Sequence, residues 1–78
     1  MAFAEGENRL AVKTRELIAI GVAATTQCPY CMEAHVAGAK KAGATQAEVA
    51  EAIMVASALR AGAAFTHGWM AMKFFDKD

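Results

Sequence analysis

TTQCPYCMEAHVAGAKKAG, residues 25–43, is the stretch on which the fold turns. Thr25, Thr26 and Gln27 interrupt an apolar, helix-forming run. Pro29 follows where a helix can begin, because the N–H it lacks has no intrahelical partner in the first turn. Gly43 closes the stretch as a natural C′ residue. The segment therefore reads as a junction between two helices, the second running from about Cys28 to Ala42. Upstream, Val12 to Thr26 reads as helix one, with Arg15 and Glu16 near its start and an almost wholly apolar remainder, the pattern of a buried helix. Downstream, Thr45-Gln-Ala-Glu48 is a capping-box pattern. It opens a third helix with Val49, Ile53, Ala56 and Leu59 at helical spacing, ending near Gly62. A last helix covers Ala64 to Phe75, with Phe65, Trp69 and Met72 on one side. Alanine is the best helix former, and 20 of the 78 residues are alanine. The expectation is all-α: a small bundle of about four helices.

Seventy-eight residues make a single domain, 1–78, with residues 1–11 a loose N-terminal segment. At 56% hydrophobic and 21% charged the chain is not disordered. One small core rarely supplies more than about 3–5 kcal/mol. A chain this apolar is expected to hide further surface against copies of itself, as a homo-oligomer. The formal net charge is zero and no basic run occurs, so nucleic acid is not an expected partner. The run LIAIGVAA, residues 17–24, is too short to span a bilayer, and no charged leader with a cleavage site is visible. The expected location is the cytoplasm, where structural disulfides are rare, with no membrane association.

Both cysteines fall in the junction. At about 100° per residue, Cys28, Cys31 and His35 lie within roughly 60° of one another on one helix face. Along the axis His35 is about 6 Å from Cys31 and about 10 Å from Cys28. Helical side chains lean toward the N-terminus, so His35 leans toward Cys31. Three readings compete. The cysteines are small buried hydrophobes or a staple, although closing so short a loop contributes only about 2 kcal/mol. Alternatively, Cys-x2-Cys-x3-His offers three zinc ligands, without the second Cys/His pair of a usual structural site. Or the pair is redox-active: a thiolate oxidised to sulfenic acid condenses with its neighbour to a disulfide, which external thiols reset. The third reading explains two cysteines and a histidine together. The helix N-terminus favours Cys28 as the attacking thiol, but a base within reach can also carry the proton, which decides for Cys31. Glu16 lies twelve residues before Cys28 beside an apolar stretch. It either complements the helix N-terminus or, being a carboxylate that burial would penalise, pairs with His35. The latter gives a Glu16–His35–Cys31 proton relay.

These residues, within KTRELIAIGVAATTQCPYCMEAHVAGAKKAGATQAEVAEAI (13–53), resemble the carboxymuconolactone decarboxylase family on its alkylhydroperoxidase side. The shared pattern is a glutamate, eleven residues, Cys-x-x-Cys, three residues and a histidine, here Glu16, Cys28, Cys31 and His35. LRAGAAFTHGW, residues 59–69, also resembles the segment that follows in small members. The resemblance implies an all-helical fold, homotrimers or homohexamers, and antioxidant reduction of hydroperoxides without metal or organic cofactor. In that scheme Cys31 reacts with the peroxide first, Cys28 resolves it, and His35 with Glu16 moves protons. A thiol reductant or redox partner protein restores the dithiol. The alternatives are decarboxylase-type chemistry on His35 and Glu16 without thiol redox, and a non-catalytic redox-sensing or metal-binding oligomer. The branch's peroxidase carries a histidine inside the Cys-x-x-Cys where Tyr30 stands here.

Among the remaining polar groups, His67 reads as structural, with a position at a subunit interface as the alternative. Tyr30 reads as a packing residue, with a proton donor between the cysteines as the alternative, and Arg60 as a surface ion-pair partner, with a carboxylate across the bundle as the alternative. Met32, Met54, Met70 and Met72 read as core or interface filler. No phosphate loop or cofactor fingerprint occurs.

Overall fold

Gln27 is where the chain reverses. It takes φ 58° and ψ 46°, a left-handed conformation uncommon outside glycine. Its N–H donates to the Ala23 carbonyl and caps α1 (Val12–Thr26). The Cys28 N–H donates to the same carbonyl at 3.2 Å. In the computed structural model, which describes residues 9–77, α2 (Pro29–Lys41) begins two residues later with Pro29 in its first turn. Residues 1–8 of the expected loose start lie outside the described residues. Arg9 to Ala11 are non-helical and lead into α1. At the far end of α2, Gly43 adopts φ 95°, which glycine takes without a Cβ clash, and the Ala44 N–H closes onto the Ala39 carbonyl at 2.9 Å.

The capping box forms in full. The Glu48 N–H donates to Thr45 Oγ1 at 3.1 Å and the Thr45 N–H donates to Glu48 Oε1 at 2.8 Å. Lys13 Nζ donates to the other Glu48 oxygen at 3.0 Å, tying the start of α1 to the start of α3 (Gln46–Phe75). The Thr45 N–H first, and then the Lys13 side chain, hold the Glu48 carboxyl below its ordinary range.

α3 corrects the expected count. Where the sequence predicts a break near Gly62 and a fourth helix from Ala64, one helix runs unbroken for 30 residues. Three helices and no strand occur among the described residues. Glycine in a helix interior is worse than alanine by only about 1 kcal/mol. Its neighbours Ala61, Ala63 and Ala64 are the strongest helix formers, and no Ser, Thr, Asp or Asn stands at 63 to cap a new start.

α1 is the shared element, packing on both α2 and α3. Glu16 meets residues 35 and 38 of α2, and α1 leads into α2 through the turn, so these two run antiparallel. Lys13 meets Glu48, and Gly21 lies 3.5–3.6 Å from Ala52 and Ala56 by its would-be Cβ, so α1 and α3 run side by side in the same sense. Among the described residues, full burial is confined to Ile20, Gly21 and Ala23 of α1 and Ala39 of α2. The expected buried helix one is thus only partly covered within the chain. Two neighbours shield two sides, and Ile18 and Val22 stay about half exposed.

At about 1.5 Å per residue α3 is roughly 45 Å long, about twice α1. It outruns the hairpin, and every described residue from Ser57 onward is exposed. This arm carries Leu59, Phe65, Trp69, Met70, Met72, Phe74 and Phe75. Phe65 and Trp69 meet edge to face with ring centroids 6.1 Å apart. By length and composition alone α3 is long and apolar enough to cross a membrane, its best window having mean hydropathy 1.3, whereas LIAIGVAA falls short on length alone.

Candidate active site

The two cysteines form the entrance to α2. Cys28 is its N-cap, and its Sγ accepts the Cys31 N–H at 3.1 Å. The two are joined by a disulfide with Cα atoms 5.3 Å apart. Pro29 holds the first turn in place, and the helix then carries His35 one turn beyond Cys31 on the same face. The helix N-terminus brings partial positive charge to the sulfurs, which favours a thiolate when the bond is reduced.

Across the antiparallel pair, α1 presents Glu16. Its Oε2 lies 2.8 Å from His35 Nδ1, with both side chains partly shielded, at 24% and 33% exposure. A hydrogen bond to an ionised carboxylate keeps the proton on Nδ1, which leaves Nε2 as the nitrogen with a free lone pair. Cys31 and His35 border one open hollow of about 510 Å³ whose walls are otherwise mostly apolar, from Leu10, Ile18, Val22 and Ala23, with Arg15, Glu16 and Thr26 as its further polar groups. Cys28 does not line it. A proton acceptor, a sulfur and an apolar bay therefore meet at one place. A second groove of about 550 Å³ runs between α1 and α3, lined by Leu17, Gly21, Val55 and Leu59, and holds neither sulfur. Ile18 and Val22 form the wall between the two.

Other sequence candidates fall elsewhere. Tyr30 is 82% exposed, so it packs against nothing substantial within the chain, contrary to the expected packing role. His67 lies on the exposed arm of α3. Arg60 borders the α1–α3 groove. Among the described residues no group of three or more His, Cys, Asp or Glu is placed to hold a metal ion. Two features escape the sequence reading. Leu10, just before α1, lines the hollow. Gly38 lies under the Glu16 carboxylate, and its one sequence signal is a glycine in a helix interior three residues past His35.

A family model of the Carboxymuconolactone decarboxylase family matches residues 1–74. The chain belongs to this family. The carboxymuconolactone decarboxylase family includes both decarboxylases and alkylhydroperoxidases, so membership admits thiol chemistry without selecting it. Two relatives are similar to the chain. "Uncharacterized protein 4 in cox locus" of Paracoccus denitrificans is 47% identical over 77 residues, which cover 99% of this chain and 68% of that protein. An uncharacterized protein of Haemophilus influenzae is 62% identical over 34 residues, covering 44% of this chain and 29% of that protein. The chain thus corresponds to part of the length of either relative.

Proposed function

We propose that this member of the family is a thiol-dependent peroxidase that reduces hydroperoxides through the Cys28–Cys31 dithiol. The observation that carries the proposal is the Glu16–His35 contact of 2.8 Å beside the disulfide at the start of α2. In the reduced protein His35 Nε2 takes the Cys31 thiol proton, and Glu16 stabilises the imidazolium that results. The Cys31 thiolate attacks the terminal oxygen of the hydroperoxide. The O–O bond breaks, Cys31 becomes the sulfenic acid, and the alkoxide leaves as alcohol with the proton held by His35. The Cys28 thiol then attacks the Cys31 sulfur and expels water, forming the disulfide. An external dithiol or redox partner protein returns two electrons and two protons by exchange. Two features support Cys31 as the first thiol: it borders the hollow with His35, and Cys28 does not.

The test is turnover of tert-butyl hydroperoxide with a dithiol reductant, before and after both cysteines are alkylated. Loss of turnover is the expected result. Turnover of any substrate that persists after alkylation would instead favour decarboxylase-type proton transfer by His35 and Glu16, to which the same contact is suited.

The proposal includes assembly as a homotrimer or homohexamer in the cytoplasm, where reductant is at hand. Every described residue from Ser57 onward is exposed, and this arm carries large apolar side chains that a partner copy would cover. The exposed arm of α3 is the natural contact, its aromatic side chains meeting another copy. Native mass spectrometry without detergent should show a discrete oligomer. A monomer that becomes soluble only with detergent or vesicles would point to a membrane as the arm's partner.

A further inference from the structure

Gly38 is an interior residue of α2 with no backbone reason to be glycine. Gly43 is the described glycine with positive φ, so any L-residue could take the conformation at 38. Alanine there would favour the helix. What is special about the position is space. A Cβ at residue 38 would fall 2.9 Å from both Cδ and Oε2 of Glu16 and 3.2 Å from Oε1. Gly62 and Gly68 on α3 and Gly43 at the turn would meet nothing within 4 Å, and Gly21 would make only ordinary contact at 3.5 Å. Among the described residues, Gly38 is therefore the glycine whose added methyl would collide, and it would collide with the carboxylate that holds His35.

The helix geometry explains the collision. A side chain at position 38 leans toward the N-terminus, over the turn that carries His35. Since residue 38 has no side chain, that slot is filled from the opposite helix by Glu16, whose three carboxyl atoms all lie close over the Gly38 backbone. We infer that Gly38 is a positioning residue: it keeps open the slot in which the Glu16 carboxylate meets His35 Nδ1. Gly38 touches no reacting atom and acts through Glu16, and the inference rests on the proton relay proposed above. Restoring ordinary contact at 3.4 Å requires the carboxylate to move by roughly 0.5 Å, and a move of that size away from the imidazole takes a 2.8 Å bond to the edge of hydrogen-bonding range. The atoms that must move are the end of a flexible side chain, so the backbone has no cause to shift.

The experiment follows the alkylation of Cys31 by iodoacetamide against pH, in a Cys28→Ser background where Cys31 is the single thiol, with thermal melting in parallel. Adding Gly38→Ala should slow alkylation at pH 7 about tenfold and move the midpoint of the pH profile up by about one unit, since below its midpoint thiolate falls tenfold per unit. The melting temperature should hold or rise. Glu16→Gln should give the same slowing, and Gly38→Ala on top of it should add nothing, because both act on one contact. Parental alkylation in Gly38→Ala beside a slowed Glu16→Gln would overturn the positioning role and leave the relay standing. Parental alkylation in Glu16→Gln would overturn the relay and this inference with it. Loss of the helical fold in Gly38→Ala would also overturn the inference, which requires the backbone to tolerate the methyl.

Discussion

Cys31→Ser should reduce hydroperoxide turnover to the uncatalysed background, whereas Cys28→Ser should carry out a single oxidation per chain and stop. The asymmetry follows from position. Cys31 borders the apolar hollow together with His35, and Cys28 stands at the N-cap outside it. Without Cys31, the remaining thiol is about 10 Å along the helix axis from the histidine, nearly two turns away. It keeps the helix N-terminus but loses the base. Without Cys28, the Cys31 thiolate still attacks, and the sulfenic acid has no neighbour to condense with. The Cys28→Ser protein should then gain one oxygen per chain and drift to the sulfinic acid under excess peroxide. Steady-state turnover and intact mass report these outcomes. Normal turnover in Cys31→Ser would remove the assignment of the first thiol, and continuous turnover in Cys28→Ser would mean that an external thiol does the resolving.

The second large effect concerns His35. General acid–base catalysis by a positioned group contributes about 10²–10⁴-fold, so His35→Gln should lower kcat/KM at pH 7 by about a hundredfold or more. Glu16→Gln should cost less, about tenfold, because the imidazole remains and only its orientation and charge stabilisation are lost. The double variant should be no worse than His35→Gln, since groups that act as one unit are not additive. The deficit should also shrink as pH rises toward about 8.5, where cysteine ionises without help. A deficit that is constant with pH would show that His35 supports the structure of the site rather than moving its proton.

Much of the framework was legible because local chemistry marked it. The end of α1 and the start of α2 follow from Thr25 to Pro29, although the turn is made by a left-handed Gln27 that carries no glycine signal. The start of α3 follows from Thr45 and Glu48, whose reciprocal bonds need only four residues of sequence. Gly62 misled, since a glycine ends a helix only when something beyond it starts anew, and Ala63 and Ala64 do not. The near-complete apolarity of α1 was legible as a demand for cover, but three helices meet that demand only in part. At the site, a glutamate beside an apolar run already suggested a polar partner, and the antiparallel packing of α1 on α2 brings Glu16 to His35. Gly38 could not be singled out in the same way. It resembles the other small residues of an alanine-rich helix until the opposite helix is in place. Its meaning lies in a contact between residues 16 and 38 that no local pattern encodes.

In the proposed reaction Cys28 and Cys31 cycle between dithiol and disulfide at the expense of a hydroperoxide. Its test is the intact mass of the reduced, folded protein treated with one equivalent of tert-butyl hydroperoxide and then denatured for weighing, compared before treatment, after it, and again after added dithiol. Oxidation should remove two hydrogens per chain, and reduction should return both. A mass unchanged by peroxide would contradict the proposed reaction and leave the family's helical fold and the Glu16–His35 pair without thiol redox chemistry.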